Sequence, residues 1–135
     1  LGRLVRPCAV VTKKGVGVGI LAVGPELEGL VDKKHYGSVK YLDPAESALK
    51  TATMLKEKEK CNLVLCISHL GWGPDYDIAM IKQTKYIDLV LGGHTHSMFK
   101  ELKYVKDMDG RDVAVDQNGK SAIYVGKMTL TLSEQ

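Results

Sequence analysis

The sequence is poor in the residues on which several classes of protein depend. One tryptophan and one phenylalanine among 135 residues leave little aromatic surface on which nucleic-acid bases could stack. The three cysteines form no Cys-x-x-Cys pair, and we interpret them as buried free thiols rather than as a disulfide framework. No apolar run is long enough to span a membrane, and a net charge of +3 is too small to indicate a nucleic-acid polymer as partner.

The first half of the chain predicts a β-hairpin, a loop and a helix. Two strand-like segments, residues 8–13 and 16–23, flank the turn residues Lys14 and Gly15. Residues 24–41 have mixed polarity and are interpreted as a long loop. A helix is predicted from Asp43 to about Lys60, because Asp43 can cap it and Pro44 suits its first turn. Its apolar face comprises Ala45, Ala48, Leu49, Ala52 and Leu55.

The middle of the chain reads as a strand, a helix and a strand. Residues 63–67 are continuously apolar, which is typical of a strand covered on both faces. Residues 75–86 predict a shorter helix with Ile78 and Ile81 turned inward, and residues 87–91 predict a second buried strand. Short links between these elements indicate a βαβ unit, so we expect the two strands to be parallel.

The last third of the chain changes character and predicts antiparallel β-structure. Residues 107–110 and 117–119 are interpreted as hairpin turns. The strand-like segments beside these turns are residues 102–106, 112–116 and 121–132.

Three of the four histidines follow the two predicted parallel strands. His69 follows the first, and His94 and His96 follow the second within Gly92-Gly93-His94-Thr95-His96-Ser97. Ligands of open α/β sheets bind beyond the carboxyl ends of the strands, and neighbouring strands lie about 4.8 Å apart. Because imidazole is a good ligand for zinc, manganese and iron, the pattern predicts metal binding by His69, His94 and His96.

The pattern leaves the number of metal ions open. Three histidines could hold one zinc ion with an open position. Alternate residues tend to diverge, however, which suits two ions about 3.5–4 Å apart with one histidine on each. A two-metal site also needs a bridging carboxylate, and none is obvious, because Asp75 and Asp77 are assigned to the start of a helix.

Other features near the histidines are less specific. His35 lies among lysines and is interpreted as a surface residue. Trp72 could flank a substrate or pack within its loop. Two other classes of enzyme with a His-x-His pair do not fit the sequence. A metallo-β-lactamase-like site would need acidic and histidine residues directly after His96. An amidohydrolase-like barrel would need far more chain after His96 than the 39 residues present.

Ser68-His69-Leu70-Gly71 and Gly92-Gly93-His94-Thr95-His96-Ser97 resemble the last two motifs of the calcineurin-like metallophosphoesterases. The resemblance is strongest to the 5′-nucleotidase branch, which includes UDP-sugar hydrolases and 2′,3′-cyclic phosphodiesterases. It covers nearly the whole chain, because the predicted elements follow the order of that family. It implies an α/β fold that forms part of a four-layer α/β/β/α sandwich.

The resemblance also implies roles for the histidines. His69 and His94 would share one divalent ion, such as zinc, manganese or iron, and His96 would serve a second. Two such ions activate a water that attacks phosphorus. The family's upstream Asp-x-His, Gly-Asp and Asn-His-Asp/Glu motifs are absent, so no catalytic residue is assigned and the substrate-binding residues are unknown. We therefore expect residues 1–135 to be the C-terminal part of a catalytic domain, inactive alone.

These implications define a leading hypothesis and its alternatives. The leading hypothesis is part of a two-metal phosphoesterase that hydrolyses phosphate esters, chiefly 5′-nucleotides, and that is exported as the family usually is. The alternatives are a degenerate binding module without activity and a simple metal-binding domain. A chain that holds only part of the four-layer sandwich should expose apolar surface, so we also expect self-association or marginal stability.

Overall fold

The computed structural model describes residues 4–133, which form a mixed α/β fold as the sequence predicts. Within these residues six strands make one sheet with the order β1-β2-β3-β4-β6-β5. The inner pairs β2–β3, β3–β4 and β4–β6 are parallel, and the outer pairs are antiparallel. The elements in chain order are β1 (Cys8–Lys13), β2 (Val16–Val23), α1 (Lys33–Tyr36), α2 (Pro44–Glu57), β3 (Leu63–Ser68), α3 (Asp77–Lys82), β4 (Leu89–Leu91), β5 (Lys103–Lys106) and β6 (Asp112–Asp116).

Helix α2 begins where the capping residues predict. The Asp43 carboxylate accepts a hydrogen bond of 2.8 Å from the Glu46 amide, and Pro44 occupies the first turn. The helix ends at Glu57, three residues before the predicted end, and Lys60 then adopts a left-handed φ of 54°. Its buried face comprises Ala45, Ala48, Ala52 and Leu55.

The core lies between the helices and one face of the sheet. Leu21, Cys66, Val90 and Val115 are partners across four adjacent strands and form a buried row under α2 and α3. Burial raises the pKa of the Cys66 thiol to about 12, so the thiol stays protonated at neutral pH. Cys61 is also buried and Cys8 is partly buried, which agrees with free thiols.

The opposite face of the sheet is only partly covered, which corrects the expectation that β3 is buried on both faces. The side chains of Ile67 and Leu91 are 52% and 39% exposed. A groove of about 420 Å³ on this face is lined by Leu65 and Leu89 from the sheet and by Met128 and Leu130 from the C-terminal segment. The continuous apolar run correctly predicted strand β3. It did not show that one face of this strand is only partly covered by other residues.

The C-terminal third is antiparallel only in part. The predicted turn at residues 107–110 joins β5 and β6 as an antiparallel hairpin, but β6 also pairs in parallel with β4 and so lies inside the sheet. The strand predicted for residues 121–132 is wrong, because the described part of this segment forms no strand. Several of its apolar residues are exposed; Val125, for example, is 92% exposed.

The turn predicted at residues 117–119 has another role. The Gly119 amide donates a 2.8 Å hydrogen bond to the Ser97 carbonyl, and Asn118 forms an isolated antiparallel bridge with Met98. The segment after β6 therefore pairs with the segment after His96 and does not begin a second hairpin.

The remaining elements differ from prediction in length. The predicted loop of residues 24–41 contains the short helix α1, which Asp32 caps by accepting a hydrogen bond from the Lys34 amide. Helix α3 is six residues long, with Ile81 buried as predicted and Ile78 partly buried.

Strands β3 and β4 are parallel, as the βαβ pattern predicts. None of the helices in residues 4–133 is both long and apolar enough to cross a bilayer.

Candidate metal centre

The candidate metal centre lies at the carboxyl ends of β3 and β4. These strands are neighbours in the sheet, with Ile67 opposite Leu91. His69 follows the last residue of β3, and the loop that carries His94 and His96 follows β4 after two glycines. The parallel pairing therefore brings the two histidine motifs to one edge of the sheet, as sequence reasoning predicts.

The structure brings two of the three predicted histidines together. The imidazole rings of His69 and His94 have centroids 5.2 Å apart and meet edge to face at 63°. His96 lies two residues beyond His94 and is exposed, as is His69. In the described part of the chain, no three His, Cys, Asp or Glu side chains are grouped closely enough to hold a metal ion by themselves. The arrangement thus offers a pair of imidazoles and a third histidine apart from them.

Two glycines allow the histidine loops to approach each other. A Cβ atom on Gly93 would lie 2.9 Å from Nδ1 of His69. A Cβ atom on Gly71 would lie 2.8 Å from the Thr95 methyl group, and the Gly71 backbone has a φ of 108°. The backbone conformation of Gly71 thus favours glycine, and at Gly93 the lack of a side chain leaves room for the His69 ring.

Both histidines of the second loop have an unusual backbone conformation. His94 and His96 have φ values of 68° and 55°, in the left-handed region that residues with a Cβ rarely adopt. The side chain of Gln117, which follows β6 and is 2% exposed, bonds to this loop. Its Oε1 accepts from the Thr95 hydroxyl at 2.9 Å and from the Ser97 amide at 2.5 Å, and its Nε2 donates to the Gly93 carbonyl at 2.5 Å.

A buried carboxylate supports the first loop. Asp77, in the first turn of α3, is fully buried, and its Oδ1 accepts a 2.5 Å hydrogen bond from the Ser68 hydroxyl. The Ser68 oxygen in turn accepts from the Leu70 amide at 3.1 Å, so these contacts hold the residues directly before and after His69. Among the described residues, Oδ2 of Asp77 has no hydrogen-bond partner.

The environment of Asp77 changes its acidity. Burial raises the pKa of the Asp77 carboxyl above its usual value of 3.8, and the hydrogen bond from Ser68 offsets part of that rise. The negative charge is therefore costly where it lies, and that cost is relieved when the group takes up a proton.

The other residues singled out from the sequence lie outside the centre. His35 is exposed on α1, as predicted. Trp72 is partly buried and packs edge to face against Phe99, with ring centroids 5.1 Å apart, which agrees with a packed aromatic loop. The Trp72 amide also donates a 3.0 Å hydrogen bond to the Thr95 hydroxyl, which links the two histidine loops.

Sequence reasoning missed the supporting roles of Asp77 and Gln117, although each has a signal. Asp77 was assigned only to the start of a helix, yet it lies three and four residues before the buried Met80 and Ile81 and so shares their inward stripe. Gln117 continues the alternation of the buried Val113 and Val115. A polar residue at an inward position, beside a proposed ligand loop, is the signal in both cases.

No family model matches the sequence, but individual proteins do. An apyrase from Tabanus yao is 30% identical over an alignment of 139 positions that covers 93% of this chain and 24% of the apyrase. A 5′-nucleotidase from Vibrio cholerae is 27% identical over 104 residues, which cover 69% of this chain and 19% of the nucleotidase. The crystal structure of the calcineurin-like phosphoesterase YfkN from Bacillus subtilis matches with a TM-score of 0.62 and 25% identity, over 70% of this chain and 34% of that one.

The chain belongs to the calcineurin-like phosphoesterases, in the 5′-nucleotidase branch. Its six-stranded mixed sheet has the fold of that family. The family is one of hydrolytic enzymes that act on phosphate esters, and divalent metal ions are its general cofactors. This calcineurin-like chain spans about a quarter of the length of the apyrase, so it matches only one part of such a protein.

Substitution of Gly93 should move the His69 ring at little cost in stability. In Gly93→Ala the new methyl group would meet Nδ1 of His69, an exposed side chain that can rotate away. We expect the ring resonances of His69 to shift in NMR spectra while the melting temperature stays nearly unchanged. Gly24→Ala is the matched control, because its Cβ would contact nothing within 4 Å. Unchanged His69 resonances in Gly93→Ala would contradict the close contact.

Substitution of Asp77 should alter how stability depends on pH. The pKa of Asp77 is raised in the folded chain, so the ionised carboxylate lowers the free energy of unfolding. This penalty is complete at pH values above the raised pKa. The penalty disappears as the pH falls towards the unfolded value of 3.8. On acidification, the free energy of unfolding of the wild type should therefore rise relative to that of Asp77→Asn. Urea denaturation at several pH values measures this difference, and a constant or opposite trend would refute the assignment.

Proposed function

We propose that this chain supplies one part of the metal centre of a two-metal phosphoesterase that hydrolyses phosphate esters, with 5′-nucleotides as the leading substrate class. The proposal rests on the proximity of the His69 and His94 imidazoles, which lie at the carboxyl ends of two parallel strands. The names of the relatives, an apyrase and a 5′-nucleotidase, support nucleotides as the substrate.

The donor atoms suit divalent ions such as zinc, manganese or iron. In the proposal, His69 and His94 share one ion and His96 serves the second, which agrees with the separation of His96 from the imidazole pair. When bound, the two ions would supply an activated water for attack on phosphorus and would stabilise charge on the phosphoryl oxygens. The chain's own part is to hold three imidazoles in place through the contacts of their two loops.

Two imidazoles are too few ligands for a metal ion, so further donors are needed. Because the chain spans about a quarter of the apyrase, we propose that residues 1–135 are the C-terminal part of a catalytic domain and that the remaining part supplies those donors. We expect metal binding at micromolar concentration or tighter only in that longer form. Export of the protein is a further part of this proposal, by analogy with the family.

The proposal is tested on a longer form that joins this chain to the rest of the catalytic domain. After metal removal and reloading with zinc, manganese or iron, phosphate release should be measured from 5′-nucleotides and from simple phosphate esters. His94→Ala and His96→Ala should each lower kcat/KM by about 100-fold or more, since metal ions contribute several kcal/mol and each 1.36 kcal/mol is tenfold.

His35→Ala is the control variant, because His35 is exposed on α1 and lies outside the centre. A longer form that is inert towards every substrate with every metal would overturn the proposal and favour a binding module without activity. Tight binding of one metal without phosphatase activity would instead favour a simple metal-binding domain.

We also propose that the partly covered sheet face makes isolated copies of this chain associate. Ile67 and Leu91 expose apolar surface there, and burying it against a second copy would be favourable. Sedimentation velocity should show association that increases with concentration and is weakened by Ile67→Lys. Met108→Lys is the control, because Met108 is as exposed as Ile67 but lies in the β5–β6 turn. A monomer with a cooperative melt at high temperature would contradict this.

A further inference from the structure

We propose that Gln117 is a positioning residue that holds His94 and His96 in their left-handed conformations and thereby sets the directions of their imidazoles. The part of the inference that concerns metal binding rests on the function proposed above. The part that concerns the loop rests only on the contacts of residues 93–97 with the Gln117 side chain.

The contacts of Gln117 bracket both histidines. Its Nε2 donates to the carbonyl of Gly93, directly before His94, and its Oε1 accepts from the amide of Ser97, directly after His96. The hydroxyl of Thr95, between the histidines, donates to the same Oε1. One side chain thus contacts the residue before, the residue between and the residue after the two histidines.

The orientation of the Gln117 amide is fixed by its partners. A backbone amide can only donate and a carbonyl can only accept, so Oε1 must face Ser97 and Nε2 must face Gly93. Because the side chain is buried, water cannot easily replace these bonds. Glutamine is therefore suited to this position by both its length and its pairing of a donor with an acceptor.

The loop has a conformational cost that such contacts can offset. A residue with a Cβ is disfavoured at left-handed φ, because its Cβ crowds the backbone, and two such residues occur here within three positions. A satisfied hydrogen bond is stabilising, and leaving its buried partner without one is costly. The three hydrogen bonds of one buried side chain therefore oppose the backbone preference of the two histidines.

Hydrogen bonds through Thr95 also link Gln117 to the other histidine motif. The Thr95 hydroxyl donates to Gln117 and accepts from the amide of Trp72, in the loop that follows His69. The network thus extends from β6, through the His94 loop, to the loop of His69. Loss of the Gln117 side chain should therefore disturb the His69–His94 pair as well as the backbone of His94 and His96.

The test is an NMR comparison of the full chain and its variants without metal. At left-handed φ a residue's own amide hydrogen lies close to its Hα, which gives a strong intraresidue NOE. We expect strong NOEs at His94 and His96 in the wild type and their loss in Gln117→Met, which keeps the chain length but removes the donor and the acceptor. Lys14, which has a φ of 51° in the β1–β2 turn, is the internal reference and should keep its NOE.

Two further variants separate positioning from stability. Val113→Ala creates a cavity on the buried face of β6 whose alternation Gln117 continues, so it should lower the melting temperature but leave the histidine NOEs intact. Thr95→Val, at an exposed position, removes one bond to Gln117 and should weaken the NOEs, whereas Thr95→Ser should restore them. Strong histidine NOEs in both Gln117→Met and Thr95→Val would overturn the inference, and Thr95→Val keeps the test valid if Gln117→Met does not fold.

A zinc titration of the longer form, as wild type and with Gln117→Met, separates this inference from the proposed function. Loss of a group that orients metal ligands typically weakens metal affinity by about 10- to 100-fold, so Gln117→Met should bind Zn²⁺ that much more weakly than the wild type. Equal zinc affinities would overturn the role of Gln117 in orienting ligands. A wild-type longer form that binds no zinc would overturn the proposed metal centre, while the NOEs of this chain still decide the role of Gln117 in the loop.

Discussion

The parallel pairing of β3 with β4 is the constraint on which the candidate centre depends. Leu65 lies opposite Leu89 and Ile67 opposite Leu91, so both strands end at the same level of the sheet. A slip of one residue would move every side chain of a strand to the opposite face and would separate His69 from His94. The buried row across β2, β3, β4 and β6 prevents such a slip, because it would expose Cys66 or Val90. The hydrophobic core therefore fixes the position of a polar site at its end.

The helix-facing side of the sheet changes from apolar to polar along the strands. Val113 and Val115 are followed by Gln117, and Val64 and Cys66 are followed by Ser68, with Asp77 facing it from α3. These buried polar groups contact the loops that carry the histidines. Burial without partners would make them costly, so their hydrogen bonds favour one arrangement of the loops over others.

Periodic and apolar segments made most of the fold predictable. The hairpin β1–β2 and the strand β6 have the predicted bounds, and the cap at Asp43 begins α2 as expected. The strand predicted for residues 121–132 is wrong, because an apolar pattern does not show whether a neighbouring strand is available for pairing. At the site, the three histidines were found from their places after strands. Asp77 and Gln117 were not, because an inward polar position does not say which loop the side chain contacts until α3 and β6 are packed in the fold.

The two edge strands of the sheet differ in their resistance to pairing with another strand. β5 is short, and Lys103 and Lys106 lie on it, the latter paired with Asp112 at 2.8 Å. Charged side chains on an edge discourage the addition of a foreign strand. β1 presents Ala9, Val10 and Val11 in an exposed run without charge. The sheet therefore has a protected edge and an open one, so a foreign strand would add beside β1 and not beside β5.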